Sequence, residues 1–154
     1  MPTYVCHSDA SLLTGPRRAD LARRITSVHS VHTGAPSSFA QVAFREWLPD
    51  GHYIGGRAAD PRSVWVIGHI RAGRDASVRN RLALGVRDAV VEVAGVAAEF
   101  VWVYLTELPP GDMIEFGHPL PEPGAEQAWV DALPPPLRDR LRELDRGAGP
   151  QTGT

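Results

Sequence analysis

Two stretches of this chain repeat one another at a fixed offset of 61 residues, Leu21 falling on Leu82. At the same offset Ala22 meets Ala83, Gly34 meets Gly95, Phe39 meets Phe100, Val42 meets Val103, and Glu46 meets Glu107. Tyr4-Val5 falls on Trp65-Val66. A repeat that carries strand, helix, helix stop and strand together forces both halves into one local fold and a shared core. In each half an apolar strand precedes a helix and a second strand. The first unit reads as a strand over Met1–Ser8, a helix opened by Thr14 and Pro16, and a strand over Phe39–Trp47. Leu21, Ile25, Val28 and His32 recur at helical spacing, and Gly34 suits the residue just past the helix end.

The second unit repeats the pattern: a strand over Val64–Ile70, a helix capped by Asp75 with Val78, Leu82, Val86, Ala89 and Val93 on one side, a stop at Gly95, and a strand over Phe100–Thr106. Strand, helix and strand with short joins make a βαβ unit whose two strands run parallel. Two in tandem predict an α/β (α+β) fold with a four-stranded sheet and both helices on one face. The other sheet face then needs a cover, most simply other subunits. The units span about 2–47 and 63–107, joined by a Gly- and Pro-rich loop with a short hairpin near Tyr53-Ile54. A carboxy-terminal extension, 108–146, completes a single domain of residues 1–146. It contains a short helix at Gln127–Leu133 and a charged one at Pro136–Arg146 with Leu137, Leu141 and Leu144 on one side. Residues 147–154 read as a disordered tail.

Composition narrows the chemistry. All 16 basic residues among 154 are Arg, so no lysine Schiff base or lysine general base is possible. Arginine is left as the strong cation for an acid, gripping it bidentately where geometry permits. A net charge of −2 argues against a non-specific nucleic-acid binder. Cys6 alone can form no internal disulfide and reads as a buried small hydrophobe. No run has the length of a signal peptide or membrane span, so a cytoplasmic protein with no membrane partner is expected.

The polar outliers are few. Pro2 follows Met1; once the methionine is removed, its ring nitrogen is a free secondary amine able to hold or release a proton near neutral pH. Arg71 and Arg74 stand three residues apart where a loop turns into a helix, placed to face one small anion with the helix N-terminus behind them. His29 lies near the end of the first helix beside Val28. Tyr104 lies in an apolar strand where its hydroxyl needs a partner. Glu115 is flanked by apolar groups that raise a carboxyl pKa.

Pro2, the tandem repeat, and the segments RAGR, VWVYLTELP and MIEFG together resemble the tautomerase superfamily, and within it the cis-3-chloroacrylic acid dehalogenase (cis-CaaD) branch. The resemblance covers roughly residues 2–146. It implies a tautomerase/MIF-like fold, a homotrimer, and no metal or organic cofactor. It assigns Pro2, Glu115 and Tyr104 to catalysis, and His29, Arg71 and Arg74 to a small carboxylate substrate. Two departures bear on substrate choice: Phe116 stands where the family has Tyr after the glutamate, and the loop after the first helix reads Thr33 to Ser38. The expected activity is hydration or hydrolytic dehalogenation of a cis-3-haloacrylate-like acid. A keto–enol tautomerase on a 2-keto acid such as phenylpyruvate uses the same residues without Glu115. A non-catalytic acid-binding or assembly domain is the third reading.

Overall fold

The computed structural model describes residues 2–147. The expected removal of Met1 lies outside them, as does the predicted tail apart from Gly147, which ends the last helix. Strand β1 (Thr3–Ser8) is followed by helix α1 (Gly15–Thr33) and strand β2 (Gln41–Glu46). A small hairpin, β3 (Tyr53–Ile54) and β4 (Arg57–Ala58), precedes β5 (Val64–Arg71), α2 (Ala76–Ala94) and β6 (Val101–Leu108). The chain ends in the hairpin β7 (Ile114–Glu115) and β8 (His118–Pro119), then α3 (Glu126–Ala132) and α4 (Pro135–Gly147).

The main sheet has the order β2-β1-β5-β6. Within each unit the strands are parallel, β1 with β2 and β5 with β6, as the short connections require. The units join through the antiparallel pair β1–β5, in which Thr3 lies opposite His69 and His7 opposite Trp65. Alternate residues therefore face opposite ways. Tyr4 and Cys6 of β1, with Val64, Val66 and Ile70 of β5, turn toward the helices and are buried against Leu21, Ile25, Leu82, Val86 and Val90. Burial pushes the Cys6 thiol up to about 12, so it stays an inert part of this core.

Both helices stop where expected. Gly34 (φ 71°) and Gly95 (φ 70°) adopt the left-handed conformation that ends a helix, and each donates its N–H to a carbonyl four residues back. The starts need correction: Thr14 and Asp75 occupy the cap positions, but neither side chain makes a capping hydrogen bond. The stripe of α1 is also corrected. Leu21, Ile25 and His29 are its buried members, with Val28 packed alongside and His32 half-buried, so His29 belongs to the core rather than beside it.

The extension folds back on the first unit. Leu120, Leu133 and Leu141 pack with Met113 around Phe39, and the Ser38 N–H donates to Asp145 Oδ1 at 2.6 Å. Of the three leucines expected on one side of α4, Leu141 is buried and Leu137 partly so, while Leu144 is exposed.

The sheet's other face carries aromatic side chains. His7 stacks on Trp47 at 5.1 Å between ring centroids, Trp47 on His52 at 4.3 Å, and Trp65 meets Tyr104 edge-on at 5.7 Å. Tyr104 is 55% exposed, against the expectation of a strand apolar on both sides. Its place in the alternation puts it on the face away from the helices.

One glycine is required by packing. Gly68 lies opposite Tyr4 on one side and Leu105 on the other, and an added Cβ would come within 2.7 Å of both side chains. Gly68→Ala is expected to destabilise the fold by about 1–3 kcal/mol through overpacking, read as a lowered urea midpoint at unchanged slope. Because Tyr4 is fully buried, the substitution should also perturb its ring, visible in near-ultraviolet circular dichroism.

Candidate active site

The antiparallel β1–β5 pair brings the start of β1 to the end of β5. Pro2, immediately before β1, is buried, and its carbonyl accepts a hydrogen bond from the Gln41 N–H at 3.0 Å. Arg71 closes β5, and Arg74 stands on the turn into α2. Helix α1 carries His29 in its last turns. Tyr4 reaches up from β1, its hydroxyl 2.8 Å from His29 Nδ1. Burial, partly offset by Arg74, raises the Tyr4 pKa further, so the hydroxyl keeps its proton, and the donor in its hydrogen bond with Nδ1 is set by the imidazole tautomer.

His29 is neutral. Burial first, then the charges of Arg74, the amino terminus and Arg71, push its pKa down to about 3. It can donate or accept a hydrogen bond here, but it adds no positive charge near neutral pH.

The two arginines differ in circumstance. Both line a cleft of about 500 Å³ together with Thr33, Gly34 and Glu126. Arg71 is 5% exposed; its Nη2 donates to Glu126 Oε1 and its Nη1 to the Pro121 carbonyl at 2.8 Å, while Nε is buried without a hydrogen-bond partner. Arg74 donates from Nη1 to the Arg71 carbonyl at 2.8 Å. Burial, and next the charge of Arg71, lower its pKa, while Glu126 pulls the other way.

Glu115 lies in a neighbouring cleft of about 730 Å³, shared with Thr3, Gln41, His69 and Phe116. Burial raises its pKa and the positive amino terminus opposes that rise. Glu115 ends one strand of a tight hairpin whose two central residues, Phe116 (φ 52°) and Gly117 (φ 83°), are both left-handed. That turn favours Asn or Gly at its first central position, so a bulky Phe116 there is held against its preference.

Tyr104 is not in this group. It sits level with Ile67, which in turn faces Val5, and so lies three residues along β1 from Pro2 and two strands away. It points from the face opposite the helices. Within one chain the fold gathers Pro2, His29, Arg71, Arg74 and Glu115 at one end of the sheet and leaves Tyr104 apart.

The sequence matches the Tautomerase_3 family model, "Putative oxalocrotonate tautomerase enzyme", over residues 1–132. The crystal structure of N1, a member of the cis-3-chloroacrylic acid dehalogenase (cis-CaaD) family, superposes with a TM-score of 0.89 at 35% identity, covering 92% of this chain and 99% of that one. The chain belongs to the tautomerase superfamily, in its cis-CaaD branch. Native Ps01740 superposes with a TM-score of 0.69 at 32% identity, covering 73% of this chain and 99% of that one. A fused 4-OT, described as a symmetric trimer, shares the fold at 19% identity with a TM-score of 0.70, covering 77% and 94%. No curated protein matches this chain.

Three further polar groups shape this end of the sheet. Tyr4 was absorbed into an apolar run, yet it is the hydrogen-bond partner of His29. His69 lies two residues before Arg71 in an apolar strand, its Nδ1 buried without a hydrogen-bond partner in the cleft of Glu115. That odd polar residue was a usable signal. Glu126 gave none, because only the folded extension carries it to Arg71.

The neutral histidine has a measurable consequence. An unfolded chain protonates its histidines near ~6.5, whereas folded His29 resists down to about 3. Its contribution to stability is full above the unfolded value and is lost as pH falls toward the folded one. Between pH 7 and pH 4 the wild type should lose on the order of 3 kcal/mol more than His29→Gln does. Urea titrations of both proteins at the two pH values measure the difference; parallel losses would mean that His29 is readily protonated in the fold.

Proposed function

We propose that this protein adds water, without a cofactor, to a small unsaturated carboxylate of the cis-3-haloacrylate type. The observation that carries the reading is a half-buried carboxyl, Glu115, at the same end of the sheet as Pro2 and the arginine pair. Arg74 and Arg71 hold the substrate carboxylate and draw electron density toward it, with neutral His29 as a hydrogen-bonding neighbour. Glu115 takes a proton from water, and the oxygen adds to C3. Protonated Pro2 delivers its proton to C2, so the C2–C3 double bond becomes single. The resulting 3-halo-3-hydroxy acid expels halide as its hydroxyl proton leaves, giving an aldehyde acid, the halide and a proton. Pro2 can act this way only after Met1 is removed, because acylation would turn its nitrogen into a non-basic amide.

Tyr104 enters the scheme through assembly. We infer a homotrimer in which the aromatic sheet face of one copy is covered by another, bringing a neighbour's Tyr104 toward Glu115. The trimeric description of the fused 4-OT relatives supports this assembly. The described helices also leave that face open, and none is long and apolar enough to cross a membrane. Residues 2–146 then act as one domain. Light scattering in dilute solution should return three chains, and a monomer would remove the trimer.

A second reading, keto–enol tautomerisation of a 2-keto acid with neutral Pro2 as base, is favoured by one observation: Tyr104 and Glu115 are not together within a chain. The two readings divide on Glu115. Glu115→Gln keeps shape and hydrogen bonding but removes the base, and should lower halide release from cis-3-chloroacrylate on the order of 10²-fold while sparing most phenylpyruvate tautomerisation. Because burial raises the Glu115 pKa, the acid limb of kcat/KM for halide release should lie above the ordinary carboxylate range. It should vanish in the variant. Equal loss of both activities in a folded variant sinks water activation by Glu115. Mass spectrometry of the purified protein checks Met1 removal directly.

A further inference from the structure

The pairing of Arg71 with Glu126 alters what the arginine cleft can accept. Two guanidinium groups facing one cleft would present two positive charges and suit a dicarboxylate. Here Glu126, at the start of α3, occupies Arg71 Nη2, and the Pro121 carbonyl occupies Nη1. Arg74 spends an N–H only on the Arg71 main chain. Glu126 is an anion at neutral pH: burial raises its pKa, but the hydrogen bond and charge of Arg71 outweigh that and hold it below its ordinary value. His29 contributes no charge. The charged residues that line the cleft, Arg71, Arg74 and Glu126, therefore sum to one positive charge, centred on Arg74.

We propose that Glu126 is a specificity-determining residue that restricts the arginine cleft to acids bearing one carboxylate, by holding Arg71 in an internal ion pair. A single carboxylate balances Arg74. The second carboxylate of a diacid of similar length meets an arginine whose charge is already paired and a glutamate of its own sign, in a partly buried site where charges are poorly screened. The rejection is built into the cleft, a repulsive element beside an attractive one. It also explains why the extension matters to the site, since α3 and the preceding loop supply both acceptors. The Trp129 indole N–H, bonded to the Pro119 carbonyl at 2.8 Å, ties the end of β8, where that loop begins, to α3.

The inference rests on the arginine cleft being the acid-binding site, as in the proposed function, but its test needs no turnover. Binding of butyrate and of succinate, saturated acids of equal chain length, is measured by calorimetric or NMR titration at neutral pH. Wild type should favour butyrate by on the order of tenfold or more, and Glu126→Gln should shift the ratio toward succinate by at least tenfold. Glu122→Gln, an exposed change of equal charge on the same loop, should leave the ratio unmoved. If Glu126→Gln does not fold, Arg71→Gln/Glu126→Gln decides. It pairs amide with amide, keeps the cleft at one positive charge, and should keep the preference for butyrate. An unchanged ratio in Glu126→Gln, an equal shift in Glu122→Gln, a double variant that prefers succinate, or a wild type that does so each overturns the assignment. Failure of wild type to bind either acid overturns the cleft as an acid site altogether. Selective binding without halide release or tautomerisation overturns only the proposed reaction.

Discussion

The site depends on one pairing, the antiparallel contact of β1 with β5. Only the junction of the two βαβ units sets the start of β1 beside the end of β5. That brings the proline at the head of the chain to two arginines some seventy residues later. Gly68 is a close-packed point of the junction: it leaves room for the Tyr4 ring, and the Tyr4 hydroxyl then reaches His29 on the covering helix. A packing requirement in the sheet thus fixes a polar group on the helix.

The electrostatics of this end follow from burial. His29 is enclosed near two arginines and the amino terminus, so it stays neutral, and the positive charge is left to the arginines. Of these, Arg71 is compensated inside the protein and Arg74 remains to face the cleft. Glu115, in the adjoining cleft, is pushed by burial toward its protonated form and pulled back by the amino terminus. A carboxyl balanced in this way stands closer to water's proton than an exposed one.

Much of the architecture was legible in the sequence because repetition doubled each signal. The strands, helices and stopping glycines of one unit confirm those of the other, and element ends moved by only a residue or two. What was not legible was direction and partnership. Tyr104 looked enclosed because its neighbours are apolar, while strand alternation turns it to the open face. His29 looked peripheral to the helix stripe, yet it is 2% exposed because Tyr4 gives its ring nitrogen a partner in the core. The candidate site was readable through family resemblance at Pro2, His29, Arg71, Arg74 and Glu115. Glu126 was not, since no local pattern marks a carboxylate that meets an arginine 55 positions away only after folding.

The register of the central pair closes on itself under the 61-residue offset: Thr3 opposite His69 becomes Ser8 opposite Val64 when the halves are exchanged. The sheet thus has an internal twofold relation, and the end that bears the candidate site has a rotational counterpart at the other end. There the place of Pro2 is taken by Ser63, that of His29 by Val90, and those of Arg71 and Arg74 by Ala10 and Leu13. Ser63, Val90 and Leu13 are buried, and the Ser63 hydroxyl has no hydrogen-bond partner. One backbone plan therefore occurs twice, with a proline, a histidine and two arginines at one pole and Ser63, Val90, Ala10 and Leu13 in their places at the other. The symmetry of the scaffold survives while the symmetry of its chemistry has been erased.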